Sequence, residues 1–503
     1  MDGLLSFPLH LLPGSSTVAR QPAHSKSSQW ACLARENLLL PLPRALPPTQ
    51  IVRLSPPHLL RRKTGEFLSL ASLFDPGLLP SLALFPIGGT PHPSVVEESI
   101  AKSMTPSPRI IVSHPTGNNF VRALIEELNS LDQLERFYTT IGIGKEANPL
   151  TRILASRRNY SIPDSRISRQ WFPEACRLLP SGQGCQEQRR RRVDQSYESL
   201  DLKVAKELHR YPGFSLHAYE DGAVESFRMA KELGIRRSYE MPIAHWATVR
   251  RLLAEEAERL PDWEPTLEST REPESKLVRK ETELSLADCI TCPSEFVLRS
   301  IPKKIRAEKH CQVAPFGSPP SSKHLEKASE RRSQGPLKLL FVGSMSQRKG
   351  LADLFEAMNQ LNTKAITLTV LGQPSMPMSF YRTRYAHFEY IGPCSNKEVR
   401  RVMKKHDVLV LPSIVEGRAL VQQEALSCGL PLLVTPNAGG EDLIEEGRTG
   451  FLIPIRQPQI LAERIECFLN HRVERHEMGQ FCQETARNYP WSTYAKKVVD
   501  FCL

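Results

Sequence analysis

Cysteine is sparse and scattered in this chain: eleven residues in 503, and only Cys289 and Cys292 stand close together. That excludes the dense disulfide framework of a small secreted protein and favours a reducing compartment. Cys289-Ile-Thr-Cys292 has a redox-type spacing, but it lies in Leu-Ala-Asp-Cys-Ile-Thr-Cys-Pro-Ser, which reads as a buried strand. No second cysteine pair or histidine cluster nearby completes a zinc site, so the reading is of buried, inert thiols. The N-terminus lacks a basic region before its apolar residues, and Pro8 and Pro13 interrupt them, so a cleavable signal peptide is not expected. The long apolar stretch 67–88 contains Asp75, Pro76, Gly77, Pro80 and Pro86, breakers that argue against a membrane-spanning helix. There is no clear Asp-x-Asp motif of the kind that holds a divalent cation.

What is abundant is positive charge. The net charge of +11 favours anionic partners: nucleic acid, anionic lipid or phosphorylated substrates. The basic run Arg189–Arg192 sits in a polar stretch, 151–200, without interleaved aromatics. It reads as a mobile insertion or a membrane-facing loop, and nucleic acid is not expected as a partner.

A chain of 503 residues exceeds one ordinary core and fits two domains with an extra segment. Residues 1–103 hold 14 of the 41 prolines and show no sustained hydrophobic period. They read as a mostly disordered extension ahead of a natural start at or near Met104. From Arg-Ile-Ile-Val-Ser (109–113) onward, apolar runs alternate with amphipathic stretches. The first domain is placed at 104–314, a linker at 315–336 and a second domain at 337–490. A final helix at 491–503 is expected to pack back on the first domain. In the first domain, strands are expected at 214–219 and 237–241, with helices at 121–131, 200–210 and 223–233. In the second they are expected at 338–342, 366–371, 407–411 and 431–434, with helices at 350–361, 395–405 and 418–428. Alternation of this kind implies two parallel sheets, each covered on both faces, with a cleft between them.

The chemistry gathers in the second half. After Val-Leu-Val-Leu-Pro-Ser (408–413) come two carboxylates eight positions apart, Glu416 and Glu424. The first lies in the loop leaving a strand, the second inside the following helix, where such sheets bind ligands. Carboxylates there accept hydrogen bonds from sugar hydroxyls, and the free N–H groups of a helix start face phosphate.

Phe-Val-Gly-Ser-Met-Ser-Gln-Arg-Lys-Gly (341–350), the segment from Pro412 to Pro431, Pro-Asn-Ala-Gly-Gly-Glu-Asp-Leu-Ile (436–444) and Gly-Arg-Thr-Gly-Phe-Leu-Ile-Pro (447–454) follow one another in order. Together they resemble the family-4 retaining glycosyltransferases of the GT-B fold. The likeness is specific over about 337–455, weaker over 109–300, and absent from 1–103. It implies two Rossmann-like, doubly wound α/β domains facing across a cleft. It further implies that Arg348 and Lys349, in place of a metal, stabilise the leaving diphosphate, with Gly343 and Ser344 in the same loop. Glu416 would contact the donor sugar near the reacting carbon, and Glu424 the ribose. The backbone of Gly417, Arg418, Ala419 and Leu420 would face the distal phosphate and sugar. The sequence departs from the family at Ser344, where an arginine is common, and at Arg418, where an aromatic is usual. Arg418 is expected either to add a phosphate contact or to alter how the donor sugar packs.

The resemblance also implies a histidine in the first domain near the reacting carbon. His217 and His245 are the candidates, and His245, after the strand that carries it in the family, is preferred. Gly117, Asn118 and Asn119 occupy the first strand-to-helix loop, on the acceptor side. The expected activity is transfer of a sugar from a nucleotide-diphosphate donor to a glycan, lipid-linked or small-molecule hydroxyl, with retention and with no cofactor or metal. The expected setting is the bacterial cytoplasm, in cell-envelope polysaccharide synthesis, with peripheral contact on the inner membrane face. The competing readings are a nucleotide-sugar epimerase or hydrolase on the same fold, or a non-catalytic anion-binding protein.

Overall fold

The computed structural model describes residues 109–148, 158–178, 186–267, 272–321, 335–471 and 474–503, which fall in one compact unit. The extension 1–103, its apolar stretch 67–88 and the larger part of the expected linker lie outside the described residues.

Two parallel sheets organise the chain. The first contains β1 (Ile110–Ser113), β2 (Leu134–Thr139), β3 (Ile167–Arg169), β4 (Ser215–Tyr219), β5 (Arg236–Glu240), β6 (Cys289–Cys292) and β7 (His310–Val313). Their order is β3-β2-β1-β4-β5-β6-β7. The second contains β8 (Leu337–Val342), β9 (Ile366–Leu371), β10 (Phe388–Ile391), β11 (Val408–Leu411), β12 (Leu432–Val434) and β13 (Gly450–Leu452). Their order is β10-β9-β8-β11-β12-β13. Both are doubly wound, and in each the strand order reverses beside the first strand, between β1 and β4 and between β8 and β11. Those two reversals are the switch points at whose carboxyl ends open α/β sheets bind ligands. The central strands are nearly continuous apolar runs because helices cover both faces. In β8 only Lys338 reaches solvent, and β11 is buried throughout.

The helix Trp491–Cys502 crosses to the first lobe. Tyr494, Val498, Val499 and Cys502 join Phe120, Leu124 and Ile125 of the helix Asn119–Ser130 in one buried cluster. Full burial of each such apolar side chain contributes about 1.5–3 kcal/mol, which holds the C-terminus to this lobe. Tyr494 also donates its hydroxyl to the Glu240 carboxylate at 2.9 Å.

Two boundaries differ from the sequence reading. The expected linker does not begin at Pro315 as free chain: Phe316 is buried, stacks on Phe120 with centroids 4.8 Å apart, and belongs to the first-lobe core. The basic run Arg189–Arg192 is not a loop but part of a 22-residue helix, Gln186–Glu207. That helix is fixed to the helix Trp171–Leu178 where Ser196 donates to the buried Glu174. Among the described residues, no helix is long and apolar enough to cross a membrane.

Candidate active site

At the second switch point the loop after β8 and the loop after β11 lie side by side. The Ile414 N–H donates to the Arg348 carbonyl at 2.9 Å. Gly350 ends the turn with φ +73°, and a Cβ there would stand 1.9 Å from the Pro412 carbonyl oxygen. Only glycine meets both the left-handed conformation and that approach. The turn Gln347–Lys349 is thereby held against the segment that carries Glu416.

Charge converges on a single oxygen. Arg348 Nη1 donates to Glu416 Oε1 at 2.7 Å, and Lys349 Nζ approaches the same atom at 2.5 Å. The Lys349 and Glu416 side chains are only 12% and 11% exposed, so their attraction is weakly screened by water. Burial pushes the Glu416 carboxyl upward, but Lys349 and Arg348 outweigh it and hold its pKa below the usual carboxylate range. Burial draws the Lys349 pKa down, and Glu416 opposes that shift only in part. Glu416 is thus a carboxylate whose ion pairs use Oε1, leaving Oε2 able to accept a hydroxyl.

The neighbouring residues frame this cluster. Gly343 follows β8, its N–H bonded to the Leu371 carbonyl, and a Cβ on it would meet Lys349 Cε at 3.4 Å. The lysine stem therefore lies across Gly343. The Ser344 hydroxyl turns to Ser346, 3.1 Å away. Glu416, Gly417, Arg418 and Ala419 lead into the helix Leu420–Ser427. Of their backbone donors, that of Glu416 is taken by the Asn437 carbonyl at 3.0 Å and that of Ala419 by the Ala438 carbonyl at 3.1 Å. Leu420 leans on the first-lobe core. Glu424, one turn into the helix, stands apart from the ion-pair cluster. Burial raises its pKa and Arg400 opposes the shift.

Of the two expectations for Arg418, the phosphate contact is set aside by its side chain's partners. Its guanidinium does not project toward a phosphate: it forms a two-point pair with Asp442, at 2.7 and 3.0 Å, and donates to the Gly439 carbonyl. The side chain is buried and lies over the Tyr489 ring. It anchors the Glu416 loop from behind.

The first lobe reaches this loop at Gly417. The Ser294 hydroxyl donates to the Gly417 carbonyl at 2.7 Å, and a Cβ on Gly417 would stand 1.7 Å from the Pro242 carbonyl oxygen. Pro242 lies in the loop after β5, which leads to His245. There the imidazole caps the helix Trp246–Arg259, with Nδ1 accepting from the Ala247 N–H at 3.3 Å and Nε2 3.0 Å from Glu281. Burial lowers its pKa, and Glu281 works against that.

His217, the other candidate, is not at the cleft. It is buried on β4, 2.9 Å from Glu240 and 3.0 Å from the Ser238 hydroxyl, beneath Cys502. Burial alone would discharge it, but Cys502 and Glu240 outweigh that and lift its pKa to about 10. Its place is in the bond between the C-terminal helix and the first sheet. The pattern Ser-Leu-His-Ala-Tyr could not show this, since both faces of the strand are covered. Gly117, Asn118 and Asn119 follow β1 at the first switch point. The Gly117 carbonyl accepts from Arg122, while both asparagines are exposed.

Three residues that the sequence reading passed over belong to the site. Ser294 and Pro242 make the contacts to Gly417, and Gln347, fully buried, precedes Arg348. Ser294 could have been flagged as a helix cap ahead of Glu-Phe-Val, a role it also fills by accepting from the Val297 N–H. Nothing local marks Gln347. Among the described residues no group of three or more His, Cys, Asp or Glu side chains is arranged to hold a metal ion.

Comparison with known proteins agrees with this architecture. Residues 322–485 match the family described as glycosyl transferases group 1. A D-inositol 3-phosphate glycosyltransferase of Pseudarthrobacter chlorophenolicus is 30% identical over 172 residues, 32% of this chain and 41% of that protein. The chain spans about two-fifths of the length of such curated relatives. Among solved structures, a sucrose-phosphate synthase from Thermosynechococcus elongatus superposes with a TM-score of 0.55 at 16% identity, covering 78% of this chain and 98% of that one. Anabaena HepE in complex with UDP superposes with a TM-score of 0.51 at 15% identity, with the same coverage. These likenesses place both lobes in the GT-B fold.

Proposed function

We propose, from the match of residues 322–485 to the family described as glycosyl transferases group 1, that the chain transfers a sugar from a nucleotide-diphosphate donor to an acceptor hydroxyl. The observation that carries this reading is the convergence of Arg348 and Lys349 on Glu416 at the second switch point, with the first lobe in contact at Gly417. The UDP bound by HepE supports a nucleoside diphosphate as the donor's leaving part.

The donor diphosphate sits at the loop after β8, where the two cations take up the charge that builds on the departing phosphate. Preorganised charge of this kind is commonly the largest contribution to catalysis, and here it replaces a divalent metal. Glu416 accepts from a hydroxyl of the donor sugar through the oxygen its ion pairs leave open, and Glu424 accepts from the ribose. The bond from the anomeric carbon to the phosphate oxygen breaks as the bond to the acceptor oxygen forms on the same face. The acceptor proton passes to the leaving phosphate oxygen, so no protein nucleophile is needed and configuration is retained. His245, on the loop that touches Gly417, orients the sugar from the first lobe. Asn118 and Asn119 face the acceptor.

Product analysis tests the proposal against epimerase and hydrolase chemistry on the same fold. With a nucleotide sugar and a panel of glycan, polyprenyl-phosphate and polyol acceptors, the expected product is a glycoside that forms undiminished in EDTA. Free sugar or epimer as the main product with every acceptor would overturn it.

A further inference from the structure

Gln347 is fully buried one residue before Arg348, and every polar atom of its amide is engaged. Its Nε2 donates to Glu256 Oε2 and to Asp353 Oδ2, each at 2.7 Å, and its Oε1 accepts from the Ala352 N–H at 2.9 Å. Its backbone N–H donates to Thr266 Oγ1 at 3.1 Å. Asp353 and Ala352 belong to the same lobe, but Glu256 and Thr266 do not. They sit on the helix Trp246–Arg259 and the turn Pro261–Thr266, between β5 and β6 of the first lobe.

This first-lobe segment is built into the second lobe. Trp263 lies within the second-lobe core, with ring centroids 5.0 Å from Phe380 and 5.9 Å from Tyr381. Glu256, with no exposed surface, also accepts from Arg259 and from Arg456 of the second lobe. Arg259 continues to Asp353 at 2.9 Å. A buried carboxylate with so many donors is held in one geometry, and a closed network of this kind transmits that geometry to its members.

We propose that Glu256 and Thr266 of the first lobe are positioning residues, which fix Arg348 and Lys349 through Gln347. The proposal rests on the reading of Arg348 and Lys349 as the diphosphate site. Neither residue touches substrate. Their effect is to hold the turn so that both cations point at the phosphates before the donor arrives, which spares the cost of ordering them. The lobe that faces the acceptor thereby sets the diphosphate loop of the opposite lobe.

Affinities of the full chain for UDP, GDP and ADP, each set against its monophosphate, test this. For the nucleotide that the wild type binds, Glu256→Gln is expected to weaken the diphosphate about tenfold while the monophosphate stays within about twofold. Thr266→Val, which removes the hydroxyl's bonds to the Gln347 N–H and the Trp263 carbonyl and keeps the side chain's shape, is expected to give the same selective loss at about threefold, and it serves if Glu256→Gln does not fold. Unchanged diphosphate affinity, or equal weakening of both ligands, would overturn the positioning role. A wild type that binds no nucleoside diphosphate would instead overturn the reading on which the proposal rests.

Discussion

Lys349→Ala is expected to lower the rate of sugar transfer by about a hundred- to a thousandfold, the usual scale for removing one preorganised group that stabilises transition-state charge. The substitution takes away a cation that lies over Gly343 and leaves Arg348 alone with Glu416. Glu416→Gln should do comparable damage by another route. The amide keeps the size of the side chain but cannot balance two cations. Glu416 opposes the downward pull of burial on the Lys349 pKa, so its neutralisation lowers that pKa further. Lysine must be protonated to act on phosphate, and a lower pKa means that charge is lost at a lower pH. The alkaline limb of the pH–rate profile of Glu416→Gln should therefore move toward neutrality. Initial rates at saturating donor across pH, with circular dichroism as the control for folding, check both variants. Near-wild-type turnover in either would sink the assignment of the cluster.

Gly417→Ala should cost about a hundredfold in kcat/KM, as expected when a small displacement takes reacting groups out of alignment. Its Cβ would fall 1.7 Å from the Pro242 carbonyl oxygen, and that neighbour is backbone, with no side chain to swing aside. The lobes would have to separate at the point where Ser294 also holds the Gly417 carbonyl. The cations, Glu416 and Gly417 all belong to the second lobe and would move together away from Pro242 and Ser294, so nucleotide affinity should stay within a few-fold of wild type. That split separates this variant from Lys349→Ala, which should lose both. Steady-state kinetics beside a nucleotide titration reads the difference. A variant with intact kcat/KM would show that the contact is not needed for catalysis.

Much of this architecture is legible in the sequence, and the reasons it stops being legible are physical. The central strands announce themselves because a strand buried on both faces must be apolar throughout, as in Leu432–Val434 and Val408–Leu411. The peripheral ones do not: β2 carries Glu135 and Arg136, and β3 is a three-residue edge strand. Of the helix Gln186–Glu207, the end from 200 on falls in the expected helix at 200–210, while the earlier part is hidden because its polar, charged sequence lacks a broad apolar stripe. At the site, Glu416 with Arg348 and Lys349 could be paired by resemblance before any geometry was known. The fate of Arg418 could not, because its partner Asp442 lies 24 residues on, across a helix, a strand and a turn. The same holds for Gln347 and Glu256, 91 residues apart and joined only when the lobes meet. Local sequence marks where charge collects, while long-range contacts decide which charges face the ligand.

On the proposed reading, Arg348, Lys349 and Glu416 form a nucleoside-diphosphate site. Thermal unfolding with UDP, GDP and ADP measures this most directly, since a ligand bound only by the folded state raises Tm by mass action. One of the three is predicted to raise the Tm of the wild type and to leave that of Lys349→Ala unmoved. No shift with any of them, or an equal shift in the variant, would contradict the account.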